Sequence, residues 1–174
     1  MVTNVILVDE ADQQIGIMEK MEAHQQGVLH RAFSVFILNS RNQMLLQRRA
    51  LEKYHSPGLW TNACCSHPSP DESTLSAAKR RLDEEMNITC SLQEIGSFTY
   101  KATFENGLTE NEFDHVLIGR YDGEVAPNPA EVVQYDWLSL GEIDKRLQHS
   151  KTDFTFWFHL AYPIVKRWLN RDPS

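Results

Sequence analysis

Three histidines, His24, His30 and His67, stand in three separate segments, and Glu110 and Glu112 lie two positions apart in a stretch that reads as strand. Side chains two apart on a strand project from the same face. Two carboxylates that close repel unless one is protonated or a cation lies between them. Imidazole nitrogens with carboxylate oxygens make a donor set for a divalent ion such as Mn²⁺, Mg²⁺ or Zn²⁺. The plainer alternative is three hydrogen-bonded histidines and a solvated acidic strand edge. Ligands so far apart in sequence form no compact motif, so spacing alone leaves both readings open.

Cysteine adds a second kind of chemistry. In Cys64-Cys65-Ser66-His67-Pro68 a thiol sits two residues from a candidate ligand. A metal or cationic neighbour lowers a thiol's pKa and makes it a usable acid, base or nucleophile. Buried cysteines are more often small inert hydrophobes, and sequence alone does not rank Cys64 against Cys65. Lys20, Arg48, Arg49, Lys53, Arg80 and Arg81 fall in three segments of an acidic chain, and such cations are the usual partners of phosphate oxygens. Arg81 and Glu85 are four apart, on one face of an expected helix. A carboxylate beside a phosphate-binding Arg suits a Mg²⁺-diphosphate; an exposed ion-paired helix is the alternative. Trp60, Tyr100 and Trp157 could line an apolar pocket, where a Trp face stabilises a nearby cation by roughly 0.5–2 kcal/mol, or could simply fill the core.

The elements that must position these residues are legible in outline. Val5–Val8 and Ile15–Met18 read as two short strands. Phe33–Leu38 is a buried strand by its aromatic and β-branched content, Asn39–Asn42 a turn, and Met44–Leu46 the return strand of a hairpin. A helix is expected over Pro70–Met86, with Ser69 as N-cap, Glu72 as capping-box partner, Leu75, Ala78, Leu82 and Met86 on its apolar face, and Asn87 as a left-handed C-cap. Strands follow near Ile95–Phe104, Phe113–Tyr121 and Val132–Trp137, then a short helix over Leu140–Gln148. A closing helix over Phe154–Asn170 carries Pro163 as a possible kink. Strands with interspersed helices indicate a layered α/β or α+β domain.

The chain's 174 residues suffice for one domain, here expected over 1–174, and no linker is visible. A formal net charge of −7 argues against nucleic acid as a partner. No apolar stretch is long enough to span a bilayer, and Met1-Val2-Thr3-Asn4 does not open a signal peptide. Cys64, Cys65 and Cys90 are an odd set with two adjacent members, which fits a reducing compartment, most simply the cytoplasm.

Several stretches resemble one family. They are Arg48-Arg49-Ala50-Leu51-Glu52-Lys53, Pro57–Pro68 with its Trp60-Thr61-Asn62 and Cys65-Ser66-His67-Pro68, Arg80-Arg81-Leu82-Asp83-Glu84-Glu85, Tyr100-Lys101-Ala102 and Glu110-Asn111-Glu112. The resemblance is to type I isopentenyl-diphosphate isomerases of the Nudix superfamily, over about residues 5–160. It implies a Nudix-type α/β/α sandwich with a mixed central sheet. It also implies interconversion of isopentenyl and dimethylallyl diphosphate in isoprenoid biosynthesis, through a carbocation-like intermediate. His24, His30, His67, Glu110 and Glu112 would bind one divalent metal, and Glu85 would help hold Mg²⁺ on the substrate diphosphate. Cys65 takes the catalytic position, opposite Glu112, with Tyr100 hydrogen-bonding near Glu112 and Trp157 against the developing cation. Lys20, Arg49, Lys53 and Arg81 would contact the diphosphate. A monomer or weak homodimer is implied.

Two positions depart from the Nudix hydrolase pattern. Arg81 stands where a metal-binding Glu is expected, and Ser66 where the motif opens with Gly. Both argue against a Nudix pyrophosphohydrolase, one alternative. The other, a catalytically silent binder of metal or prenyl diphosphate, would need neither proton-transfer group.

Overall fold

The computed structural model describes residues 3–171; Met1, Val2 and residues 172–174 lie outside the described residues. Strands β1 (Asn4–Val8) and β2 (Gln14–Glu19) form an antiparallel hairpin that runs directly into helix α1 (Lys20–Gln26). Next come β3 (His30–Leu38), β4 (Gln43–Arg49) and the short β5 (Trp60–Thr61) and β6 (Cys64–Ser66). Helix α2 (Thr74–Met86) follows, then β7 (Leu92–Thr103), β8 (Thr109–Arg120) and β9 (Val132–Ser139). Helices α3 (Leu140–His149) and α4 (Phe156–Arg171) close the chain. All nine strands join one mixed sheet, in which β3 and β8 run parallel over nine paired residues and the other pairings are antiparallel.

Alternation along β3 divides the interior into two layers. Phe33, Val35 and Ile37 pack with Ala78, Leu82 and Met86 of α2. Phe36 and Leu38 pack with Phe158, Ala161 and Val165 of α4. A strand covered on both faces reads as one unbroken apolar run, which is why Phe33–Leu38 shows no polar alternation. Helices on both sides of a mixed sheet make the expected α/β/α sandwich.

The expected β3–β4 hairpin is paired only beside its turn, at Leu38–Met44. Beyond that point each strand takes another partner, β3 pairing with β8 and β4 with β9. The segment from Trp60 to Ser66 bridges the resulting split, β5 on β4 and β6 on β3.

Three further boundaries differ from the sequence reading. Helix α2 begins at Thr74, not Pro70, and its N-cap is Ser73, whose side chain accepts from Ser76 N. Asp71 holds φ at +63°, which a helix cannot continue. Glu72 accepts from Ser69 N, as a capping-box glutamate would, but it closes a turn ahead of the helix. Helix α4 starts at Phe156 because Phe154 holds extended backbone (φ −111°, ψ 148°), and it continues unbroken through Pro163. Strand β8 begins at Thr109 rather than Phe113, so it includes both glutamates. Asn87 caps α2 in the left-handed region at φ 55°, as expected. No helix among the described residues is long and apolar enough to cross a membrane.

Ser73→Ala should lower unfolding stability by about 1 kcal/mol in urea, and Ser69→Ala by clearly less. The reverse order would contradict the placement of the cap.

Candidate active site

One face of β8 carries Glu110, Glu112, Asp114, Val116 and Ile118. Its far half, Val116 and Ile118, belongs to the α4-side core, whereas its near half is three acids, each at most 5% exposed. The site is therefore a polar continuation of an apolar core layer. Parallel pairing sets His30 beside Glu112, and antiparallel pairing on the other side sets Tyr100 beside Glu112. On β3, Ser34 shares the face of His30 and donates to Asp114 Oδ2 at 2.9 Å. Helix α1, which the sequence reading left without an element, presents Lys20 and His24 one turn apart.

Four of the five expected ligands converge: one ligand atom each from His24, His30, His67 and Glu112 lies within 4.8 Å of the others. The fifth, Glu110, falls in a second group, with His24 and His55. His67 Nε2 is 2.9 Å and His30 Nε2 3.5 Å from Glu112 Oε1. His24 Nδ1–H donates to Lys20 O (2.6 Å) and His30 Nδ1–H to Val28 O (2.8 Å). Each bond fixes the Nδ1–H and turns the Nε2 nitrogen inward. His24 Nε2 is buried without a hydrogen-bond partner among the described residues, and His30 Nε2 is buried facing only Glu112 Oε1. Burial drives the His67 pKa down to about 3 and lowers that of His24, so both stay neutral, as a ligand must. Burial acts the same way on His30, but the bond and charge of Glu112 outweigh it and raise its pKa. Glu112 itself is held well below the usual carboxylate range, because its bonds from His30 and His67 overcome the cost of burial. The Tyr100 hydroxyl lies 2.8 Å from Glu110 Oε2 and 2.7 Å from Glu112 Oε2. It has a single hydrogen, so one of those oxygen pairs is repulsive unless a proton or cation intervenes. Orphaned imidazole lone pairs beside crowded carboxylates fit a divalent ion.

The thiol side is built by the bridging segment. Cys64 points into the α2-side core, so alternation turns Cys65 to the face of Ser34 and Asp114. That ranks the two cysteines. The Cys65 thiol donates to Asn62 Oδ1 at 3.2 Å and accepts from Trp157 Nε1–H at 2.9 Å. Asn62 is pinned in turn: its Nδ2 donates to Val35 O and Cys64 O, and its Oδ1 also accepts from Thr61, which accepts from Thr155. Burial, with the charge of Asp114 behind it, pushes the Cys65 pKa up to about 12, so the sulfur stays protonated at neutral pH. Trp157 therefore holds the sulfur with its N–H, and its ring lies 5.3 Å from the Arg49 guanidinium.

The expected cations gather in the same pocket, where Lys20, Arg49, Lys53 and Arg81 join Glu85 in the lining. Their crowding is visible in Lys20, whose pKa is lowered first by burial and then by Lys53, Arg81 and Arg49. Arg81 Nη2 donates to Glu85 Oε1 (2.7 Å), while Gln47 donates to Glu85 Oε2 (3.1 Å). Glu131 pairs with both Lys53 and Arg81.

Sequence reasoning missed His55, Asn62, Asp114 and Glu131. Asn62 sits inside a matched motif, and Asp114 continues the two-residue spacing of Glu110 and Glu112; both signals were readable. His55 and Glu131 come from loops whose placement no local pattern announces.

Residues 28–158 match the NUDIX domain family. Among solved structures, the fold resembles DR0079 of Deinococcus radiodurans (TM-score 0.70, 22% identity, 84% of this chain and 90% of that one). It also resembles the MutT protein of Methanosarcina mazei (TM-score 0.65, 20% identity, 80% of this chain and 94% of that one). These define the class, a Nudix fold. Curated relatives, two of them described next, carry the name isopentenyl-diphosphate Delta-isomerase. The one from Burkholderia multivorans is 47% identical, covering 96% of this chain and 98% of its own. The one from Pectobacterium atrosepticum is 52% identical, covering 94% and 91%. The chain belongs to the Nudix family and, within it, to the isopentenyl-diphosphate Delta-isomerases.

A thiol held protonated should alkylate slowly. At pH 8, iodoacetamide should modify Cys65 in the folded protein at least ~10-fold more slowly than a free cysteine, read by peptide mass spectrometry. An equal rate would contradict the burial and bonding described for Cys65.

Proposed function

We propose that this pocket interconverts isopentenyl diphosphate and dimethylallyl diphosphate, with the five-carbon skeleton lying between Cys65 and Glu112. The observation that carries the reading is the pairing of opposites in one pocket. The Cys65 thiol on β6, held by Asn62 and Trp157, and the Glu112 carboxylate on β8, held by His67, line one pocket together with four cations.

The reaction adds a proton to the terminal alkene carbon and removes one from the carbon nearer the diphosphate. Charge collects on the tertiary carbon between them. One of Cys65 and Glu112 gives the proton and the other takes it, and each changes role when the reaction runs backward. An alkene is weakly basic, so positioning and electrostatics must lower most of the barrier. Asn62 and Trp157 hold the Cys65 sulfur from two sides; Tyr100, His30 and His67 hold Glu112. The indole of Trp157 presents electron density to the developing cation without offering a nucleophile that would trap it. Lys20, Arg49, Lys53 and Arg81 bind the diphosphate, for which Lys53 and Arg81 must leave Glu131.

His24, His30, His67, Glu110 and Glu112 would hold one divalent ion, Mn²⁺, Zn²⁺ or Mg²⁺, and Glu85 a Mg²⁺ accompanying the diphosphate. When bound, the first ion would supply positive charge that orients Glu112 and lowers its proton affinity. Three free cysteines support a cytoplasmic setting. We place the enzyme there as a monomer or weak homodimer, acting on a prenyl diphosphate and on no nucleic acid.

Pyrophosphate hydrolysis is the reading to exclude. Arg81 occupies a position where the hydrolase pattern has a carboxylate, and here it is the hub of ion pairs to Glu84, Glu85 and Glu131.

Cys65→Ala and Glu112→Gln should each lower kcat by ~10²–10⁴-fold or more while the fold persists. Near-parental turnover of isopentenyl diphosphate by either variant would remove that residue from the proton path. Arg81→Glu should raise KM by about 10–100-fold, the loss of one charge-assisted hydrogen bond, without creating phosphate release. An unchanged KM would contradict its place on the diphosphate.

A further inference from the structure

His55 has no role in the chemistry above, yet it is buried against it. We infer that His55 is a positioning residue for the metal centre: its Nε2–H fixes the Glu110 carboxylate so that this glutamate can serve the same divalent cation as His24, His30, His67 and Glu112. The inference rests on the reading of that cluster as a cation site.

Glu110 has a geometric problem that Glu112 does not. The two sit on one strand face, and two residues of strand rise about 6.6 Å. Glu112 lies in the centre of the cluster, within reach of His30 and His67, whereas Glu110 is one step removed and groups only with His24 and His55. A glutamate with three free torsions, one step off centre, needs its carboxylate steered. His55 Nε2 lies 2.9 Å from Glu110 Oε1, with side-chain exposures of 6% and 2%. The carboxylate can only accept, so Nε2–H donates. The other oxygen, Oε2, lies 2.8 Å from the Tyr100 hydroxyl, whose single hydrogen Glu112 Oε2 also contends for, so His55 is the donor that Glu110 does not share.

The His55 ring is itself fixed. It stacks on Phe104 (5.3 Å, 18°) and meets Tyr54 and Trp157 edge-on (4.5 and 5.8 Å). A donor locked in this way is what an outer-shell partner of a metal ligand requires. The arrangement also joins the two halves of the site, because the ring that steers Glu110 touches the Trp157 that holds Cys65.

Metal affinity tests this without relying on turnover. Metal-stripped protein is titrated with Mn²⁺ alone, and the free aqua ion is read by electron paramagnetic resonance. His55→Phe keeps a ring on Phe104 but loses the donor, and should bind Mn²⁺ about 10–100-fold more weakly. His55→Gln, whose amide can reach the same oxygen, should stay within about threefold of the parent, on the scale set by that loss. Should the Phe variant not fold, His55→Asn, whose amide is too short to reach Glu110, takes its place with the same expected loss. The nitrogen couplings of bound Mn²⁺ in ¹⁵N-labelled protein should be equal in parent and His55→Phe. Parental affinity in His55→Phe, or equal weakness in His55→Gln, would overturn the inference. A nitrogen lost from the Mn²⁺ couplings would make His55 a ligand and overturn it as well. His24→Ala separates the two levels: if it leaves Mn²⁺ binding intact, the cation site itself fails, whereas a weakened His24→Ala beside a parental His55→Phe removes only the role of His55.

Discussion

Three carboxyl groups on one face of one buried strand set the terms for the rest of the site. Glu110, Glu112 and Asp114 share a core layer with Val116 and Ile118, where unpaired negative charge is costly. Each acid is accommodated differently. Burial and the neighbouring glutamate charges raise the Asp114 pKa well above the usual range, and Ser34 donates to one of its oxygens. Glu112 stays ionised against two imidazoles. Glu110 accepts from His55, beside a Tyr100 hydroxyl that also faces Glu112. The parallel register of β3 on β8 makes this possible, since a shift of one residue would turn His30 to the other face and leave Glu112 without it.

The same economy of position explains the thiol. Strands β3 and β4 part after a single pairing, and the chain from Trp60 to Ser66 fills the split with one short strand on each side. A split in the sheet thus becomes the seat of the reactive sulfur. Within that segment alternation sends Cys64 to inert packing and Cys65 to the pocket. The helix that completes the α4-side core also supplies Trp157, so core packing and the orientation of the Cys65 thiol are tied to one element. The four cations come from four separate segments, α1, β4, the loop after it and α2.

Much of this was legible in the sequence, and the failures have physical reasons. Long periodic segments were readable: the buried run of β3, the apolar stripe of α2, and the Asn87 cap. Helix α1 escaped because seven residues with few apolar positions carry little periodic signal, although its Lys20–His24 spacing is helical. Ser69 and Glu72 made a false N-terminus, since their local bond is real but Asp71 in the left-handed region denies it a helix. Metal-type residues were identifiable singly, and the family resemblance assembled them. Composition and spacing alone could not have done so, because convergence of His24, His30 and His67 depends on long-range strand pairing. His55 carries no pattern at all; only its packing against Phe104 and Glu110 reveals it.

The central claim is that two proton-transfer groups, Cys65 and Glu112, act from two different strands on one prenyl diphosphate. Proton NMR of isopentenyl diphosphate incubated with the protein and Mg²⁺ in D₂O tests this most directly. Dimethylallyl signals should grow with deuterium in the new methyl group, because the added hydrogen comes from an exchangeable group on the protein. Dimethylallyl diphosphate formed without deuterium would contradict a protein-borne proton, and released phosphate or unchanged substrate would contradict the isomerase itself.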